Sequence, residues 1–259
     1  MNAIYNAFAK SLKEVLIEFI NRNQASILAT ASETTGQTQP TKVAIKDLFD
    51  NLTPSNSGTG FFINFAGQSV TASHVVNDCI FIELQHKGEV FNAELIHDSQ
   101  LLDLAVLNVD YSNSHAVTIN EQASSNLGKQ VFVTGYPLSG ILSDYPSLTV
   151  GNISSKGGLK GSKGYFQFSA AIQPGNSGGA ITDYQGHLMG VVSSTLNQAM
   201  MLKQSGTTAQ NLNFGIETSM LQRFLNKHEV NYNQGKSDSN FEIASADAVE
   251  YSNQILCYK

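Results

Sequence analysis

Between about residues 58 and 216 the chain alternates short apolar runs with Gly, Asn, Asp or Ser. The runs are Phe61–Asn64, Ser69–Ala72, Ile80–Leu84, Val90–Ile96, Leu104–Val109, Gln130–Thr134, Leu148–Ile153, Tyr165–Ser169, Ala180–Thr182, Leu188–Ser193 and Asn213–Ile216. Many short strands at such spacing predict an all-β sandwich or barrel. No long helical pattern alternates with them, which disfavours a parallel α/β sheet. The two ends read differently. Phe8, Leu12, Val15, Leu16 and Phe19 draw one helical face over residues 4–23. This predicts a helix packed on the body, the alternative being a membrane-surface or partner-binding helix. A Thr-, Ser- and Gln-rich stretch follows around 31–41, and Asn56–Gly60 is rich in turn formers. Helical spacing returns at Ser219–His228, with Met220, Leu221 and Phe224 on one side. Residues 230–240 read as a polar linker, and 241–259 as a short helix and then a strand, Gln254–Tyr258. Gly151–Gly164 carries glycines at 151, 157, 158, 161 and 164 and reads as a mobile loop; no G-x-x-x-x-G-K-[ST] register fits it.

Composition narrows the function classes. The chain has 259 residues, enough to bury a full core, and 41% are hydrophobic. Only 14% are charged, so the surface is polar but weakly charged. The net charge of −6 and the lack of a Lys/Arg cluster argue against nucleic acid and against anionic membranes. No apolar run approaches the roughly 20 residues that span a bilayer. Lys10, Lys13 and Glu14 interrupt any signal-peptide core, so the chain is expected either to stay in the cytoplasm or to begin after a removed signal. Two cysteines, Cys79 and Cys257, make no C-x-x-C and no zinc spacing. They are either two unrelated thiols or one long-range disulfide, which would need an oxidising compartment.

Three segments carry candidate chemistry: Thr71–Val76 with His74, Asp103–Leu107 with Asp103, and Pro174–Ala180 with Ser177. A free hydroxyl is a poor nucleophile at neutral pH. A histidine in hydrogen-bond reach takes its proton and later protonates the leaving amine. A buried Asp fixes the imidazole tautomer and stabilises its charged form. Glycines around the serine let two backbone amides converge on a developing oxyanion. Each piece alone is weak, and the other five histidines (86, 97, 115, 187 and 228) carry no such context. The order His, Asp, Ser in an all-β chain is far more specific.

At these residues the sequence resembles the trypsin-like serine proteases, most closely their HtrA/DegP-like branch. The phrases that carry the resemblance are Gly58-Thr59-Gly60-Phe61-Phe62-Ile63, Thr71–Val76, Asp103–Leu107, Gly135-Tyr136-Pro137-Leu138, Thr149–Ser154, Ala170–Ala180, Gly190–Ser193 and Asn213–Ile216. The resemblance implies a trypsin-like double six-stranded β-barrel, with an added N-terminal helix and a short C-terminal helix and tail. It implies three regions: 1–57, helix and linker; 58–228, the protease domain, with barrels at about 58–120 and 127–217; and 229–259, linker and tail.

The same resemblance assigns His74 as general base, Asp103 as its orienter and Ser177 as nucleophile. Asp98 is a rival that lacks the following Leu-Ala-Val-Leu. The amides of Gly175 and Ser177 would form the oxyanion hole. Ser193 would support the buried Asp, and the Val192–Thr195 stretch (Val192, Ser193, Ser194 and Thr195) would pair with a substrate backbone. The resemblance implies that Ala171, with Ile172 beside it, stands at the floor of the specificity pocket, and that Gly215 keeps that pocket open. No carboxylate is there, so a small or aliphatic P1 residue is expected.

The implied activity is endopeptidase cleavage of unfolded or flexible polypeptides without a cofactor or metal. The alternative is a silent trypsin fold that binds peptides or proteins. Asn176 replaces the Asp of digestive enzymes, so no zymogen switch of their type is expected. Only about 30 residues follow the last helix of the resemblance, so a PDZ module of roughly 90 residues is not expected. Small periplasmic relatives carry cysteines at positions similar to Cys79 and Cys257, which favours a disulfide and a periplasmic or secreted location, with the cytoplasm as alternative. Residues 4–23 would supply any oligomer or membrane-surface contact.

Overall fold

The computed structural model describes residues 53–120, 124–137, 145–158, 161–193 and 213–259. The apolar runs fold as strands: β1 (Asn56–Phe62), β2 (Gln68–Thr71), β3 (Phe81–His86), β4 (Glu89–Asn92), β5 (Glu94–Ser99) and β6 (Leu104–Asn108), with a one-turn helix α1 (Ser73–Val76) between β2 and β3. Then come β7 (Gln130–Gly135), β8 (Ser147–Lys156), β9 (Tyr165–Phe168), β10 (Ala180–Asp183), β11 (Leu188–Ser193) and β12 (Asn213–Glu217). The chain ends with α2 (Thr218–Lys227), α3 (Phe241–Tyr251) and β13 (Ser252–Tyr258). The helix expected over 4–23 lies outside the described residues.

Strands β7 to β12 close into a six-stranded antiparallel barrel in the order β10-β11-β12-β9-β8-β7. Period two decides what fills it. On β7, Val131 and Val133 point inward with Ile153, Phe166, Phe168, Ile181, Met189 and Val192, while Phe132 between them joins the larger core outside. The glycine-rich segment expected as a loop from 151 is strand as far as Lys156. The reason is close packing: a Cβ on Gly151 would fall 2.2 Å from the Ala170 amide nitrogen, so only glycine lets the chain approach there.

The other half curls as a half-barrel. It is a seven-stranded sheet ordered β4-β3-β13-β1-β2-β6-β5. Strand β13 is inserted between β1 and β3, running from Asn56↔Cys257 to Phe61↔Ser252 on one side and from Gln254↔Gln85 to Tyr258↔Phe81 on the other. The outer strands β4 and β5 are consecutive in the chain and meet at buried Ala93, whose amide donates to the Ile82 carbonyl (2.9 Å). Residues expected as an outlying tail thus supply a central strand, every residue from Ser252 to Cys257 being buried. Its polar first half is accommodated by side-chain bonds. Ser252 Oγ donates to the Ala248 carbonyl (2.7 Å) and Ser69 Oγ to Asn253 Oδ1 (3.1 Å). Gly60 leaves the room: its Cβ would lie 2.5 Å from Asn253 Oδ1. Cys79 and Cys257 are paired as a disulfide, with Cα atoms 5.5 Å apart. Helix α2 buries Leu221, Phe224 and Leu225.

Candidate active site

Strand β2 ends at Thr71, Ala72 stays extended, and the chain turns at once into α1, which presents His74. Asp103 lies just before β6 with φ +57°, a left-handed conformation that Asp tolerates better than most residues. Its carboxylate accepts from the His74 amide (3.1 Å) and from His74 Nδ1, at 2.8 Å to Oδ1 and 3.0 Å to Oδ2. Ser193 Oγ, from β11 of the barrel, donates to the same carboxylate at 2.9 Å. Because an ionised carboxylate only accepts, Nδ1 carries the proton and Nε2 presents its lone pair. The His74 side chain is 28% exposed and that of Asp103 15%, so the imidazole is reachable while its partner is shielded. Asp98, the rival acid, is exposed on β5.

Ser177 lies in a turn held by its neighbours. The Asn176 amide donates to the Gln173 carbonyl (3.1 Å), the Gly178 amide to Val192 (2.8 Å) and the Gly179 amide to Asn176 (3.0 Å). Gly175 (φ +100°) and Gly178 (φ +84°) adopt backbone geometry that favours glycine. At Gly178 space demands it too: a Cβ would fall 2.4 Å from the Thr59 carbonyl oxygen and 2.5 Å from the Ala72 nitrogen. The serine turn, carried by the barrel, is therefore pressed against the sheet that carries His74.

Strand β1 joins the two. Asn56 Nδ2 donates to the carbonyls of His74 (2.9 Å) and Val75 (3.2 Å). The Thr59 amide donates to the Ser177 carbonyl (2.9 Å). Gly58 sits in the gap, since its Cβ would meet Val75 at 2.6 Å and the Ser177 oxygen at 3.0 Å. Sequence reasoning singled out neither Asn56 nor Thr59 for such roles, because an Asn and a Thr in a turn-rich segment carry no distinctive signal.

The substrate-facing expectations divide. Ala171 is exposed, and its carbonyl accepts from Thr149 Oγ1 (2.7 Å). Ile172 is half-buried against the barrel interior. Val192 is buried in that interior, and the Ser193 side chain is engaged by Asp103. Ser194 and Thr195 lie outside the described residues. At Gly215 a Cβ would fall 2.5 Å from Ile181 Cδ1 and 2.6 Å from Phe166 Cζ, so the glycine lets β12 pack closely against the barrel interior. Asn213 Nδ2 buttresses this segment from β12 by donating to the Ala170 carbonyl (2.7 Å). Nearby, burial first and the Asp103 charge second push the Tyr165 phenol up, and burial pushes Tyr136 up to about 12. Both phenols stay neutral at physiological pH. Among the described residues no three His, Cys, Asp or Glu side chains gather as a metal site, and no helix is long and apolar enough to cross a membrane.

Residues 58–191 match the family model described as a trypsin-like peptidase domain. An uncharacterized protein, y4bJ, of Sinorhizobium fredii is 37% identical over 172 residues, 66% of this chain and 27% of that protein. The serine endoprotease DegS of Salmonella typhimurium is 32% identical over 177 residues, 66% of this chain and 47% of DegS. The solved structure of the HtrA-type protease AlgW with a decapeptide is similar with a TM-score of 0.56 at 27% identity, covering 68% of this chain and 52% of that one. The chain spans less than half the length of either curated relative.

Proposed function

This chain belongs to the trypsin-like peptidase domain family, in its HtrA-like branch, and we propose that it is a serine endopeptidase acting on unfolded or flexible polypeptides. The observation that carries the proposal is the clamp on His74. Asp103 holds both its amide and its Nδ1, and the barrel that bears Ser177 also supplies Ser193 to that carboxylate.

In this reading His74 Nε2 takes the proton of Ser177 Oγ as the oxygen attacks the scissile carbonyl. The amides of Gly175 and Ser177 receive the oxyanion. Collapse of the tetrahedral intermediate breaks the C–N bond, with the proton passing from His74 to the leaving amine. Water then attacks the acyl-enzyme, giving its proton to His74, and the acid is released as Ser177 is restored. Asp103 stays ionised throughout and stabilises the imidazolium.

Specificity follows from what surrounds Ala171. Ala171 itself carries no charge to pair with a Lys or Arg side chain. The site therefore favours small or aliphatic P1 residues, with loose selection because one methylene is worth only about 1–3 kcal/mol. The Cys79–Cys257 pairing supports an oxidising location, periplasmic or extracellular. The apolar face over 4–23 is the candidate for oligomer or membrane-surface contact. The test is turnover of a reduced, carboxymethylated protein. Ser177→Ala is expected to lower it at least about a thousandfold with the fold intact. Undiminished cleavage by that variant would sink the reading.

A further inference from the structure

The two halves of the site meet on one buried side chain. Thr59, in the middle of β1, has no exposed surface. Its hydroxyl accepts from the Tyr136 amide (2.9 Å) and lies 2.7 Å from the Gly175 carbonyl oxygen. An amide can only donate, so the single hydroxyl proton is directed at Gly175. Its own amide donates to the Ser177 carbonyl at 2.9 Å. Its carbonyl in turn accepts from Thr71 Oγ1 at 2.8 Å, which ties the residue to β2. One residue therefore holds the carbonyl oxygens on both sides of Asn176.

The hydroxyl bond matters because of where it falls. The Gly175–Asn176 peptide is the link between the amides of Gly175 and Ser177, and rotating it swings one amide relative to the other. Gly175, at φ +100°, has no side chain to resist such a rotation. The peptide is held at its two polar ends: the Asn176 amide donates to the Gln173 carbonyl (3.1 Å), and the Gly175 carbonyl accepts from Thr59 (2.7 Å), the bond that reaches across to the sheet. Nor can the hydroxyl easily turn elsewhere: it sits in a slot beside Gly135, where a Cβ would come within 3.0 Å of it.

We propose that Thr59 is a positioning residue that sets the geometry of the two oxyanion-binding amides. The inference rests on the endopeptidase reading above. It couples the barrel's serine turn to the sheet that bears His74 through a group that touches no substrate.

The test compares Thr59→Val, which keeps the shape and removes the hydroxyl, with Thr59→Ser, which keeps the hydroxyl. In the full chain, Thr59→Val is expected to lower kcat about tenfold or more, approaching the loss of a whole oxyanion donor, with KM changed by less than about twofold. Affinity for a peptidyl boronic acid, whose tetrahedral adduct places an oxygen at the oxyanion position, should fall in parallel. Thr59→Ser should restore both. Thr59→Ser against Thr59→Ala, a pair that differs only in the hydroxyl, repeats the comparison if the valine variant does not fold. Wild-type kcat in a folded variant without the hydroxyl, a loss confined to KM, or a serine variant as impaired as the valine would each overturn the proposal. A wild type with no Ser177-dependent turnover refutes the endopeptidase reading itself, and this proposal with it. That outcome is read in the wild-type arm and is separate from the others.

Discussion

The barrel and the sheet solve the same problem in different ways. The barrel closes on itself with strands drawn from one stretch of chain, Gln130 to Glu217, so all its pairings are internal to that stretch. The seven-stranded sheet takes six strands, β1 to β6, from Asn56–Asn108, then depends on β13 from the far end of the chain to bridge β1 and β3. The disulfide, with a sequence separation of 178, ties that strand beside α1. Candidate catalytic groups are divided along the same line, with His74 and Asp103 on the sheet and Ser177 and Ser193 on the barrel. The half that holds the candidate base is thus the one whose integrity rests on a distant segment.

Removing residues 252–259 is the largest perturbation of that difference. Strands β1 and β3 each lose a partner along their length, and Asn56 and Thr59 on β1 lose their support. Amide exchange should show β1 and β3 unprotected while β7 to β12 keep protection, and turnover should be lost. Retained protection in β1 and β3 would break the comparison.

The paired replacement Cys79→Ser with Cys257→Ser leaves the strand but frees its end. Stability should fall by about 2–4 kcal/mol in urea denaturation. The early exchange losses should fall at Phe81–His86 and Asn56–Phe62 rather than in the barrel. A loss spread equally over both halves would contradict the account.

The smallest expected effect is of pH. His86 is buried in the sheet beside Phe62 and Tyr111, and its Nδ1 lies 3.0 Å from the Ser252 carbonyl on β13. Burial, the largest influence, holds its pKa below the ordinary value, against the raising effect of that bond. The folded state therefore disfavours the protonated ring. The stabilising contribution is fully present above the unfolded value of about 6.5 and is lost as pH falls from there towards the folded value. Urea titrations at pH 7.5 and 5.5 should show the sheet weakening more than the barrel, and His86→Gln should flatten that slope.

Much of this molecule is legible in local pattern. The barrel strands announce themselves by length and alternation, and the glycines around Ser177 by the turn they permit. What escaped was decided by long-range pairing. The strand expected at Gln254–Tyr258 is there but begins at Ser252, and polar Ser252 and Asn253 are buried because Ser69, Ala248 and the missing side chain of Gly60 receive them. The Gly151 segment reads as mobile, yet the strand continues because Ala170 packs where a Cβ would be. In each case the deciding neighbour is remote in the chain, and a single residue's identity does not specify it. The segments with His74, Asp103 and Ser177 could be picked out from the sequence; the struts Asn56 and Thr59 could not, since their partners are mostly backbone carbonyls.

The central claim is that Ser177 is an activated nucleophile assembled across the two halves. Intact mass after treatment with a fluorophosphonate tests it most directly, with Ser177→Ala as control. A single adduct on the wild type that is absent from the control is the predicted result. A folded wild type that takes up no label, or a control labelled equally, would contradict it.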